Sequence, residues 1–291
     1  IETARLIGVV NLAVGSGSET LNGVTVGYTG KDNEAVTLGV DNFGNYYVSC
    51  VQNGYVDPEE YGGKALVDRS LTTTNSTNID GSKSVTISKI DYTYSGETTR
   101  LTGVKQGWIE GSDLKGKPTL HGFGVDFEGG NWAVTVGVDY FGNYYVGYVE
   151  NGYVNPEEYG GKALIDLSST RAESTNIDGS KSVTMSKIDY TYSGETTRLT
   201  KVEQANIDGG ELPLNGVTVK YDGGNHAITA GVDHFGNYYV SNVTNKYVDP
   251  EEYGGKALVD LSSTRTESAN IDDSRSITIS EIDYAYSRET T

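Results

Sequence analysis

Cysteine, methionine and histidine are almost missing from this chain, with one, one and three copies among 291 residues. A single cysteine, Cys50, permits no internal disulfide, and no Cys-x-x-Cys pair exists to hold zinc or to cycle between redox states. Basic side chains are scarce too, 22 against 40 acidic ones, and the formal charge of −18 repels phosphate backbones and anionic lipid. Nucleic acid is therefore not an expected partner. No apolar run approaches the roughly 18 residues that a membrane-crossing helix needs, and the residues after Ile1 lack the basic-then-apolar order of a signal peptide. The expectation is no membrane insertion, and either a soluble mature protein or a piece of something larger. Gly-x-Ser-x-Gly and the glycine-rich phosphate loop are also absent.

What is present is glycine, tyrosine and repetition. The 38 glycines and 22 tyrosines, beside only five prolines, suit many turns joining aromatic-bearing strands. Phe43-Gly44-Asn45-Tyr46-Tyr47-Val48 returns at Phe141 to Val146, a step of 98 residues, and at Phe235 to Val240, a further 94. The segment Asp57 to Leu66 returns as Asn155 to Leu164 and Asp249 to Leu258, and Asn78-Ile79-Asp80-Gly81 returns at Asn176 and, altered, at Asn270. These steps exceed the ~20–50-residue periods of solenoids and propellers. Each copy is long enough to close a small core of its own, so three tandem β-rich domains are expected over residues 1–97, 98–195 and 196–291.

Within a copy, the alternation of Gly23 to Tyr28 and of Ala35 to Val40 predicts half-buried strands. Asp41 to Gly44 predicts a hairpin loop in which Gly44 takes positive φ before a return strand over Asn45 to Val51. Asp57-Pro58-Glu59-Glu60 reads as a capped helical turn, with proline at the first position, two carboxylates at the positive end and Gly62-Gly63 as the stop. Lys64 to Asp68 is too short to assign to strand or helix. Near the end of the copy, Val85 and Ile87 share one phase while Ile90, Tyr92 and Tyr94 take the other, which predicts a bulge or bend near Ser88-Lys89.

Comparison of the copies separates folding residues from chemistry. His234 aligns with Asn42 and Tyr140, His226 with Glu34 and Trp132, and His121 lies where the copies do not align cleanly; all three are expected to be ordinary surface or loop residues. Cys50 aligns with Tyr148 and Asn242, so a partly exposed thiol is expected there rather than a nucleophile. The aspartates do recur, as Asp41, Asp139 and Asp233 in the loops and Asp80, Asp178 and Asp272 in the turns. Calcium would use such carboxylates, but no loop follows the Asp-x-Asx-x-Asx-Gly pattern, and aspartates that bond their own turn backbone account for the same positions. Glu59 and Glu60 are adjacent on one turn, unlike the facing carboxylates of a glycosidase. No catalytic set, cofactor site or metal site is assigned.

Tyrosines are the best candidates for a ligand or inter-domain contact surface. In Tyr46-Tyr47, Tyr144-Tyr145 and Tyr238-Tyr239, consecutive strand residues must face opposite ways, so one ring is core and the other is exposed unless covered. Tyr92 with Tyr94, and Tyr190 with Tyr192, point the same way and offer either a stripe for stacking sugar rings or cross-strand packing.

The succession Ala35 to Asp41, Gly44-Asn45-Tyr46-Tyr47-Val48, an Asn53-Gly54 turn, Gly63-Lys64-Ala65-Leu66 and Asp80-Gly81-Ser82-Lys83-Ser84-Val85-Thr86-Ile87 resembles the variable outer β domains of bacterial flagellins. The resemblance covers each copy through short words and implies surface display with lateral or host contacts and no catalytic residues. Flagellins polymerise through long heptad helices that this sequence does not hold, which leaves an excised outer region or a different repetitive surface protein. The expectation is a non-enzymatic, extracellular, cell-surface protein that forms or decorates a filament or stalk and self-associates head to tail. The alternative is a multivalent carbohydrate-binding repeat protein whose surface tyrosines contact glycans or a host surface.

Overall fold

The computed structural model describes residues 12, 14–29, 34–110, 119, 120, 123, 124 and 126–287. Among these the chain is β almost throughout, with a single 3-10 turn at Pro250–Tyr253. It divides into two compact units, Ile1–Val146 with Asn155–Ala163, and Gly147–Val154 with Leu164–Thr291.

In the first unit, β1 (Gly17–Leu21) and β2 (Val24–Tyr28) form a hairpin whose Asn22 and Gly23 both take positive φ, the two-residue turn that matches strand twist. Strands β3 (Glu34–Val40), β4 (Tyr46–Tyr55), β5 (Val67–Thr77) and β6 (Lys83–Tyr94) pair antiparallel in sequence order. Next come β7 (Leu101–Gln106), the short pair β8 (Thr119–Leu120) and β9 (Phe123–Gly124), and β10 (Ala133–Val138). Both β7 and β10 pair with β6. Strand β11 (Tyr144–Tyr153) has residues in both units.

The second unit is antiparallel β as well. It holds β12 (Ile165–Thr175), β13 (Lys181–Tyr192), β14 (Leu199–Gln204), the hairpin β15 (Gly210–Leu214) and β16 (Val217–Tyr221), then β17 (Ala227–Val232), β18 (Tyr238–Tyr247), β19 (Val259–Ala269) and β20 (Arg275–Asp283). Here β13 pairs with β12, β14 and β17, and the sheet continues through β18 and β19 to β20.

Strand pairing crosses both positions at which the sequence copies meet. β6, which ends the first copy, pairs with β10 of the second; β13, which ends the second, pairs with β17 of the third. The same hydroxyl pair marks each seam: Thr86 Oγ1 lies 2.9 Å from Thr135 Oγ1, and Thr184 Oγ1 lies 3.1 Å from Thr229 Oγ1. A long outer strand left unpaired would expose a row of backbone donors and acceptors, and the next copy satisfies them.

Of the bulge or bend expected near Ser88-Lys89, the bulge is absent, because the β5–β6 register runs unbroken from Arg69↔Asp91 to Thr77↔Lys83. The change of phase has another cause. Residues 83–87 of β6 lie beside β10 and residues 90–94 beside β7, so Ser88 and Lys89 sit where one neighbour hands over to the other. The irregularity falls instead at Thr93/Tyr94, where the pairing passes from Gly103 to Leu101 and leaves Thr102 as an extra residue. The Asn53-Gly54 turn is also corrected. Both residues lie inside β4, opposite Ser70 and Arg69, and the register shifts only at Gly54/Tyr55. Of Lys64 to Asp68, Val67 and Asp68 open β5 and the three residues before them carry no regular structure.

A second layer builds the core of the second unit. Leu214 and Val219 of the β15–β16 hairpin pack with Val183, Ala230 and Val232 of the sheet, and Met185, Val217, Tyr238 and Val240 close round them. Alternate residues of β13 thus meet the hairpin, as period-two geometry requires. Buried Gln204 of β14 ties that strand to β18: its Nε2 donates to the Val243 carbonyl at 3.0 Å and its Oε1 accepts from the Asn245 amide at 2.6 Å.

Candidate functional site

The recurrent aspartates are occupied in holding their own turns. Asp233 Oδ1 accepts from the amides of Phe235 and Asn237 at 2.8 and 2.9 Å, and its Oδ2 accepts from Asn237 Nδ2 at 2.7 Å. Asp41 and Asp139 make the same three bonds at the same lengths. Gly44, with φ of 94°, closes the loop as expected. The Asn45 amide oxygen then accepts from the Ile79 amide at 2.8 Å, tying this loop to the next turn. Asp80, Asp178 and Asp272 each accept from the amide two residues on, at 2.8 to 3.0 Å. The Asn45 side chain holds the Asp41 carboxyl below its ordinary value, and the Asn237 side chain does the same for Asp233. Among the described residues no group of three or more His, Cys, Asp or Glu side chains is placed to hold a metal ion.

The capped turn forms as its sequence predicts. Asp249 accepts from the Glu251 amide at 2.9 Å, Pro250 opens the 3-10 turn, and Gly254 ends it in the left-handed region. Asp57 caps the equivalent turn of the first copy in the same way, at 2.9 Å from the Glu59 amide. Glu59 and Glu60 are both exposed there.

Each tyrosine pair splits as strand geometry demands. Tyr46, Tyr144 and Tyr238 are half-buried, whereas Tyr47, Tyr145 and Tyr239 are exposed on the other side. The exposed rings do not stand free. Tyr239 lies across Gly231 of the neighbouring strand, so closely that a Cβ there would come within 2.4 Å of the ring, and Tyr47 and Tyr145 cover Gly39 and Gly137 likewise. An aromatic lapped over a cross-strand glycine replaces the missing side chain of that glycine.

Tyr94 and Tyr192 are packing residues. Their hydroxyls donate to the Val67 and Ile165 carbonyls at 2.8 and 2.9 Å, and the Tyr94 ring meets Tyr61 of the capped turn edge-on at 6.5 Å. Burial raises the hydroxyl pKa of Tyr92, Tyr94 and Tyr192. Tyr92 and Tyr190 are half-buried.

Tyr238 and Tyr239 do line a polar groove of about 370 Å³ at one end of the second unit. Asp233 and Asn237 of the hairpin loop form one wall, Asn176 and Lys181 beside the preceding turn form another, and Asn270 contributes from the turn after β19. Its lining combines hydroxyls, amides, the Lys181 ammonium and the Asp233 carboxylate with two tyrosines, a chemistry that suits a polyol. Sequence comparison missed the groove because its walls come from three turns far apart in the chain. The repeat of Asn, Ser, Lys and Asp at those turns was the available signal.

His234 is exposed and meets Phe235 edge-on at 5.5 Å, while half-buried His226 lies against Gly224. His121 lies outside the described residues. Cys50 is half-buried on β4.

A different kind of surface lies on β20. It carries Ile277, Ile279 and Ile282, all exposed, and among the described residues β19 is its only neighbour. β3 likewise has β4 alone. Among the described residues no helix is long and apolar enough to cross a membrane. No protein-family model, curated protein or solved structure matches the chain.

Proposed function

We propose that this is a non-enzymatic structural protein of the cell surface, which forms or decorates a filament or stalk by joining equivalent β copies in series. The observation that supports this most is the seam: the last strand of one copy is paired by the next copy in the same way at β6–β10 and at β13–β17. Such a rule adds length by repetition, and the residues that recur most faithfully, the capped loops and lapped tyrosines, are spent on the fold itself. The extracellular placement rests on the resemblance to flagellin outer domains. Immunogold labelling of source cells with antiserum to the purified chain tests the reading. Label along surface filaments or stalks is the expected result, and label confined to the cell interior sinks it.

A second reading, a saccharide-binding repeat, is favoured by the groove beside Tyr238 and Tyr239. A glycan array with the purified chain checks it. Binding that Tyr239→Ala abolishes would support it, and a blank array would remove it.

A further inference from the structure

We propose that the outer edge of β20 receives β3 and the β1–β2 hairpin of a second copy of this chain, in the register that already joins β13 to β17. This rests on the scaffold reading above and gives it a partner, a surface and a register.

The argument starts from three equivalent strands. Val85 and Ile87 of β6 are 6% and 1% exposed, and Val183 of β13 is 3% exposed; their equivalents on β20, Ile277 and Ile279, are 59% and 70% exposed. The sequence at these positions remains that of a covered strand. Arg275-Ser276-Ile277-Thr278-Ile279 repeats Lys181-Ser182-Val183-Thr184-Met185 with the same alternation and no added charge on the apolar side. Edge strands that stay unpaired usually carry charges, proline or a bulge; β20 has no proline and pairs with β19 in unbroken register, and its charges on the Ile277 side, Arg275, Glu281 and Asp283, stand where covered β13 has Lys181, Lys187 and Asp189.

The opposite end shows the complementary loss. Leu214 and Leu21 are equivalent residues of the two hairpins, yet Leu214 is 7% exposed against Val183 and its neighbours while Leu21 is 37% exposed. Val36, Leu38 and Val40 of β3 are only half-buried, where Ile228, Ala230 and Val232 of β17 are fully buried. Among the described residues β3 has no strand paired before it and β20 none paired after it, while the equivalent faces of β13 and β17 meet within the chain.

The register follows by transfer. In β13–β17 the opposed pairs are Lys181↔Val232, Val183↔Ala230, Thr184↔Thr229 and Met185↔Ile228. The equivalents are Arg275 opposite Val40, Ile277 opposite Leu38, Thr278 opposite Thr37 and Ile279 opposite Val36. Thr278 and Thr37 would then form a third hydroxyl pair, like those at the two existing seams. The contact is heterologous, so a dimer keeps one free end of each kind and association continues into linear oligomers.

Sedimentation velocity over a wide concentration range tests this with three proteins. The unaltered chain should form a ladder of oligomers. A tail-blocked variant, Ile277→Lys with Ile279→Lys, and a head-blocked variant, Leu21→Lys with Thr37→Lys, change exposed residues only. Each should stay monomeric with an unchanged melting curve, and their mixture should give a one-to-one dimer and nothing longer. Joining Thr278→Cys on the head-blocked protein to Thr37→Cys on the tail-blocked one by oxidation should trap that dimer, which checks the register. An unaltered chain that stays monomeric up to its solubility limit overturns the proposal, as does association that survives in the tail-blocked protein alone. Surface labelling without self-association leaves the scaffold reading standing and removes only this docking, whereas a ladder from a chain found inside the cell does the reverse.

Discussion

β13 and β20 have nearly the same sequence and opposite surroundings. Val183 on β13 is covered by a hairpin and flanked by β17, while Ile277 at the same place on β20 faces solvent. The hydrophobic pattern of such a strand describes the partner it is built for, whether or not the partner is present. Burial is a property of the neighbour as much as of the residue.

The largest test sets identical side chains against each other. Ile87→Ala on β6 removes a fully buried side chain and should cost about 2–5 kcal/mol, whereas Ile279→Ala on β20 should change stability by no more than about 0.5 kcal/mol. Urea unfolding of the two variants, kept dilute so that no oligomer contributes, reads the difference. Similar losses at both sites would erase the contrast.

Gln204 sharpens the comparison further along the same edge of β13, where β14 takes over from β17. Gln204→Leu leaves the Val243 carbonyl and the Asn245 amide without their partner and should cost about 1–3 kcal/mol. Hydrogen exchange should show faster exchange at Asn245 in particular.

The lapped glycines extend the test to β3. Gly231→Ala forces the Tyr239 ring away from a covered strand and should cost about 1–3 kcal/mol, while Gly39→Ala should cost less because among the described residues β3 has no second strand beside it to confine Tyr47. Adding Tyr239→Ala should recover part of the first loss in a double-mutant cycle.

The smallest effect concerns acid. The Asp41 and Asp233 carboxyls have folded pKa values below the ordinary 3.8, so their contribution to the loops is complete above that value and is lost as pH falls through the lower, folded one. The Phe43 and Phe235 amide resonances should report protonation at the same pH, since the loop is built alike near β3 and within the second unit. Widely different midpoints would show that the open end reaches the loop.

The strands and loops were legible because their causes are local. Alternation located β2 and β3, and Asp41 with Gly44 located the hairpin loop between β3 and β4. Turn words were legible only with their surroundings: Asn22-Gly23 and Asn215-Gly216 close two-residue hairpins, while Asn53-Gly54 continues a strand. The third copy held the clue, since Asn245-Lys246 stands at that place and lysine does not favour positive φ. The phase change in β6 and the exposure of β20 were not legible, because both depend on which strand of another copy lies alongside. The groove walls share that difficulty, coming from turns near residues 178, 235 and 270.

The seams also bear on how the gene can change. Because both seams are strand pairs of equivalent register, recombination between equivalent positions of two sequence copies would leave a chain with one copy more or fewer and the same kind of pairing at each seam. Copy number is then free to vary among descendants, while a substitution at Thr86 or Thr184 affects a contact that every such chain must use.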